Sequence, residues 1–94
     1  MADTFDELVE KQQVADLASV KVRELRDRYG PPTQLGGWTP KQTETYETAW
    51  RAWRDLSRDV QAAVADYAKA RGMGRAEVRT AVQQRAGTPE APDA

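Results

Sequence analysis

Residues 39–71 restrict the fold more than any other stretch, because they carry every signal of one long amphipathic helix. Thr39 is a typical N-cap, Pro40 suits the first helical position, and Gln42 completes a capping box. Gly72 follows the last helical residue, where a C-cap glycine is common. Between these ends, apolar residues recur at spacings of three and four, which predicts one buried face. They are Tyr46, Ala49, Trp53, Leu56, Val60, Ala63, Tyr67 and Ala70.

Two further segments have helical patterns. The first is predicted over residues 4–29, because Thr4 and Glu7 form a second capping box and apolar residues follow at helical spacing. The last is predicted over residues 75–86 and ends before Gly87. The chain therefore offers three helices and no alternating pattern typical of a strand.

The predicted fold class is all-α. Helices over about 4–29 and 39–71 form an antiparallel hairpin, because the connector between them is short and rich in proline and glycine. A short C-terminal helix over about 75–86 packs onto the hairpin. Residues 1–87 are predicted to form one helical domain, followed by a disordered, acidic, proline-containing tail over 88–94.

The composition argues against an enzyme. The chain has no cysteine, which excludes disulfides and thiolate metal sites, and no histidine, which removes the commonest general base and the commonest zinc ligand. It also lacks a glycine-rich phosphate loop and a convergent pair of acids. We therefore expect no catalytic, metal-binding or cofactor-binding residues, no cofactor and no small-molecule substrate.

The sequence also suggests where the protein resides. No apolar run reaches the roughly 20 residues needed to span a bilayer, and the N-terminus is acidic where a secretory signal is basic. We expect a cytoplasmic protein without a membrane partner. Asparagine and isoleucine are absent and arginine outnumbers lysine, a bias typical of GC-rich genomes such as those of actinobacteria and their phages.

A long second helix and a two-sided first helix favour a protein–protein interaction or oligomerisation module. The second helix is longer than the first can cover, so its half from Val60 onward needs cover from the last helix or from a second molecule. In the first helix, Phe5, Val9, Leu17 and Val20 lie off the main apolar stripe, which is typical of a helix with two neighbours. The expected partner is another protein or a second copy in a homodimer. The candidate partner surface comprises Trp38, Trp50, Val64, Tyr67, Val78 and Val82.

Aromatic residues cluster where the hairpin is predicted to turn. Their simplest role is core packing, and an exposed patch for a partner is the alternative. On the first interpretation, most of the stability comes from Trp53, Leu56 and Val60 packed against the first helix.

Residues 64–84 provide the alternative function, because they resemble a generic helix-turn-helix. Ala68 and Gly72 have the required spacing, and Met73 and Val78 are apolar where the two helices must seal. The overall charge is −1, but residues 61–88 carry five basic side chains against two acidic ones. DNA binding by a regulator is thus the second hypothesis. Its candidate contacts are Lys69, Arg71, Arg75, Arg79, Gln83 and Arg85.

Overall fold

The computed structural model describes residues 3–31 and 36–89 and contains three helices. Helix α1 is Phe5–Tyr29, α2 is Pro40–Arg71 and α3 is Arg75–Ala86. The all-α prediction is confirmed, as a helical hairpin of α1 and α2 with α3 packed onto both. Part of the predicted connector, residues 32–35, and most of the predicted tail, residues 90–94, lie outside the described residues.

The starts of α1 and α2 both contain the capping boxes that the sequence predicts. In α1, the Thr4 hydroxyl accepts from the Glu7 amide and the Glu7 carboxylate accepts from the Thr4 amide, at 3.2 and 3.0 Å. Thr39 and Gln42 repeat this reciprocal pair at the start of α2, at 3.1 and 2.9 Å. Each pair satisfies two amides that the first helical turn leaves without a partner.

The turn between α2 and α3 depends on Gly72, which adopts a left-handed conformation with φ +65°. The Met73 amide then donates to the Ala68 carbonyl at 2.9 Å, which closes the end of α2. This turn directs α3 back over the second half of α2. After α3, the Thr88 hydroxyl donates to the Asp16 carboxylate at 2.9 Å, so α3 extends along the first half of α1.

The main core therefore lies where all three helices meet, which we call the three-helix half. Its buried residues come from all three helices, and the partly buried Phe5, Leu56, Ala63 and Ala86 pack around them. The buried residues of this core are Leu8, Val9, Ala15, Val60, Val64, Tyr67, Ala68, Val78 and Val82. The second half of α2 is thus covered from within the chain, by α1 and α3.

The expectation that Trp53 and Leu56 dominate the core is corrected. Val60 is buried as expected, but Trp53 and Leu56 are only half-buried. Neither belongs to the buried cluster itself, because Leu56 packs against it and Trp53 lines the groove between the three helices. The predicted start of the tail also shifts, because Thr88 and Pro89 are half-buried and Thr88 is held by Asp16.

Candidate interaction surfaces

The first candidate surface is the outer face of α1. Among the described residues, Val14, Leu17 and Val20 are large apolar side chains that remain 51%, 72% and 40% exposed. They recur every third residue, so they lie along one side of the helix. Neither α2 nor α3 covers that side. We call these three residues the α1 outer face.

This face was partly visible in the sequence. Leu17 and Val20 lie off the main stripe, which predicts a second neighbour, although neither belongs to the candidate partner surface predicted from the sequence. Phe5 and Val9 carried the same signal, yet they pack into the three-helix core. Burial of Phe5 and Val9 depends on how the helices pack, which the spacing within α1 does not give.

The structure corrects four residues of the candidate partner surface. Val64, Tyr67, Val78 and Val82 are buried in the three-helix core, so they are not available to a partner on the surface of this fold. The physical reason is that α3 returns over α2 and fills the gap that the sequence left open for a second molecule.

The other two candidates, Trp38 and Trp50, belong to a continuous row of half-buried aromatic rings. Neighbouring centroids along this row are separated by 5.7, 4.9, 6.5 and 5.0 Å, typical of interacting rings. We call it the aromatic row, and its members in order are Tyr29, Trp38, Tyr46, Trp50 and Trp53. The Trp38 indole also donates to the Gly30 carbonyl at 2.9 Å, which ties the connector to the end of α1.

The second candidate surface is a groove of about 810 Å³ between the three helices. One wall carries Asp16, whose carboxylate accepts from the Gln12 amide at 2.8 Å and from the Thr88 hydroxyl at 2.9 Å. Trp53 and Val60 contribute apolar lining from α2. The groove is therefore mixed in character, with its carboxylate already engaged by neighbouring side chains.

Three of the six predicted DNA contacts line this groove. Arg75, Arg79 and Gln83 are spaced one turn apart on α3 and lie together along its rim. No ion pair joins Arg75 or Arg79 to another described residue. The groove thus carries two adjacent guanidinium groups without a carboxylate partner in the described chain.

The remaining three predicted contacts are exposed but do not line the groove. The Arg71 guanidinium lies 4.6 Å from the centroid of the Tyr67 ring, a cation–π contact that holds it against the core. Lys69 and Arg85 are exposed at other positions on α2 and α3. The turn itself resembles the expected motif at Ala68 and Gly72, whereas Met73, expected to seal the two helices, is exposed.

The pKa of Glu7 is lowered by the hydrogen bonds at the start of α1. The Thr4 backbone amide donates to the Glu7 carboxylate and lowers the pKa of that group below 4.5, and the Thr4 hydroxyl and Lys11 act in the same direction. This effect belongs to the helix start rather than to a site.

Comparisons with protein-family models, curated proteins and solved structures find no match to this chain. Within residues 3–31 and 36–89, no group of three acidic, histidine or cysteine side chains is placed to hold a metal ion. None of the helices described here is long and apolar enough to cross a lipid bilayer. Function is therefore inferred from the α1 outer face and the groove.

Proposed function

We propose that this protein is a non-enzymatic helical interaction module that binds a protein partner through the α1 outer face. The observation that supports the proposal is the exposure of Leu17, 72% accessible and flanked on the same side of the helix by Val14 and Val20. Burial of apolar surface drives most protein association, and aligned aliphatic side chains on a helix are the usual anchors of helix-mediated binding.

Site-specific photo-crosslinking tests this proposal in cells. A benzophenone amino acid at position 17 is compared with the same probe at position 54, where Arg54 is exposed on α2. We expect a discrete protein adduct at position 17 that disappears when Val14 and Val20 are both replaced by serine. Adducts that are equal at both positions, or absent at position 17, would contradict the proposal.

A second candidate function is DNA binding by a regulator that uses residues 65–86. The observation that favours it is the placement of Arg75 and Arg79 on the groove rim without an ion-pair partner among the described residues. Arginines in such positions bind phosphate oxygens, and neutralised phosphates make the affinity depend on salt.

Charge reversal tests this second candidate. Replacing Arg75 and Arg79 by glutamate should abolish binding to duplex DNA at low salt. Replacing the exposed Arg51 and Arg54 of α2 by glutamate should lower the affinity for DNA much less. Wild-type protein that binds no duplex DNA, or two variants with equal affinity, would exclude this function.

A further inference from the structure

We infer that the partner of the α1 outer face is a second copy of this chain, paired antiparallel so that Val14 of each copy lies opposite Leu17 of the other. This inference rests on the proposed function and identifies its partner. It is carried by the charge pattern along the same side of α1.

Two residues of the α1 outer face, Val14 and Leu17, belong to a longer exposed stripe along α1. Its members are separated alternately by three and four residues. This alternation averages 3.5 residues, the repeat with which two helices contact each other along one seam. Every member of the stripe is exposed, and its only apolar members, Val14 and Leu17, lie at its centre. In order, the stripe is Glu7, Glu10, Val14, Leu17, Lys21, Glu24 and Arg28.

The charges on the stripe are arranged unevenly about its centre. Both charged positions before Val14 are acidic, whereas on the other side Lys21 and Arg28 are basic and Glu24 between them is acidic. A two-fold axis midway between Val14 and Leu17 places Glu10 of each copy opposite Lys21 of the other. The same symmetry generates that ion pair twice, once on each side of the apolar centre.

The parallel arrangement lacks this complementarity. Parallel pairing in register brings each charged residue next to itself, so Glu10, Lys21 and Glu24 each meet a like charge. The antiparallel arrangement leaves one kind of like-charge contact, Glu7 with Glu24, which the symmetry also generates twice, farther from the apolar centre than the Glu10–Lys21 pairs. It therefore matches apolar with apolar at the centre and opposite charges directly next to the centre, with Val20 beside the seam.

The fold leaves this stripe free to pair. Glu10, Lys21 and the α1 outer face do not line the groove, and none of them contributes to the three-helix core. Substitutions on the stripe therefore change exposed residues. Because few apolar residues contribute, we expect weak, salt-sensitive self-association.

Sedimentation equilibrium of the purified full chain at low ionic strength provides the first measurement. We expect a monomer–dimer equilibrium that Glu10→Lys or Lys21→Glu alone weakens about tenfold, since each creates two like-charge contacts. The Glu10→Lys/Lys21→Glu double variant should restore the wild-type affinity. The matched controls Glu47→Lys and Lys41→Glu, both exposed on α2, should have little effect.

Engineered cysteines report the orientation, because the chain has none of its own. A mixture of the Val14→Cys and Leu17→Cys variants should form a mixed disulfide under mild oxidation much faster than either variant forms one with itself. Faster self-linking of each single variant would show parallel pairing and overturn the inference. Circular dichroism of both variants verifies that the helices are retained.

The possible outcomes separate this inference from the proposed function. Wild-type protein that remains monomeric at millimolar concentration overturns the inference, as does a double variant no better than the singles. If the protein is monomeric and position 17 crosslinks to a different protein, the proposed function stands and the second copy is rejected. If position 17 crosslinks to nothing, both fail.

Discussion

Leu8 and Leu17 lie on the same helix in opposite environments. Leu8 is fully buried in the three-helix core, whereas Leu17 is 72% exposed on the α1 outer face. The two positions therefore separate the packing contribution of a leucine from its helix propensity, which is the same at both.

Leu8→Ala should lower the free energy of unfolding by about 2–5 kcal/mol, because it removes buried methyl groups and leaves a cavity. Leu17→Ala should change it by no more than about 0.5 kcal/mol, since that side chain is mostly in water. Chemical denaturation at low protein concentration measures both. Equal losses in the two variants would contradict the described burial.

The Glu7 carboxylate makes the stability of the first turn of α1 depend on pH. Its pKa is lowered in the folded chain by the Thr4 amide that donates to it. The stabilisation is therefore present above about pH 4.5, the ordinary value, and is lost as the pH falls through the lower, folded value. Since the group is exposed, the effect is local to the first turn.

In Glu7→Gln, the amide oxygen retains the hydrogen bond without a titrating group, as Gln42 does at the start of α2. Stability should therefore fall less between pH 6 and pH 3 than in the wild type. Thermal unfolding followed across this range measures the difference. Identical pH profiles would show that the Thr4–Glu7 pair does not contribute.

At the scale of elements, the three helix starts are not equivalent. The first two have complete capping boxes, whereas α3 begins at Gly74, which offers no side-chain hydrogen bond. Gly74 has the extended backbone of an N-cap, with φ −74° and ψ 138°, and Glu77 already occupies the third helical position. A side-chain hydroxyl at position 74 is therefore the one group missing from a capping box at the start of α3.

Gly74→Ser should therefore stabilise the protein by about 0.3–0.5 kcal/mol and raise the melting temperature by about 1–3 °C. A Cβ at this position meets nothing closer than the Glu77 Cβ at 3.9 Å, so the substitution causes no clash. Gly72→Ser is the matched control, and it should destabilise because φ is +65° there. A loss of stability in Gly74→Ser would mean that its side chain does not cap α3.

The sequence predicted the helix boundaries well because caps are local. Thr4, Thr39, Gly72 and Gly87 act within a few residues of their own position, so the sequence contains all the information that their geometry needs. Every predicted helix agrees with the structure to within one residue, when the N-cap is counted as part of the prediction.

The position of the core could not be predicted in the same way. Periodicity gives the direction in which the Val64 and Trp53 side chains project from α2, but it does not reveal which residues lie opposite each of them. The path of α3 after Gly72 decides this, since Val64 is buried in the three-helix core while Trp53 is only half-buried beside the groove. The same reason applies to the α1 outer face, because helix packing buries Val9 in the core and leaves Leu17 exposed.

At the scale of the whole molecule, the two ends differ in construction. The fold is elongated, 53 Å by 21 Å by 17 Å. One end is the three-helix half with its buried aliphatic core, and the other is a two-helix region in which the half-buried aromatic row joins α2 to the Trp38 segment. The ends should therefore differ in local stability.

Native-state hydrogen exchange should resolve this difference. Amides of α2 at Val60–Ala68 should exchange only through global unfolding, whereas those at Tyr46–Trp50 should exchange through smaller openings. Trp38→Ala should accelerate exchange at Tyr46–Trp50 and leave the protection of Val64 nearly unchanged, because the indole contacts Tyr29, Tyr46 and Gly30. Equal acceleration along the whole of α2 would instead indicate a single cooperative unit.

The aromatic row also determines what an optical experiment on this protein can detect. All three tryptophans of the chain belong to the row, and the three-helix core has only Tyr67 and the partly buried Phe5 among its aromatic side chains. Trp38 and Trp50 make indole emission report mainly on the end that holds the aromatic row, whereas far-ultraviolet dichroism averages over every helix. Melting curves recorded by the two signals coincide only if both ends unfold together. The cooperativity of unfolding can therefore be measured on the wild-type protein without an added label.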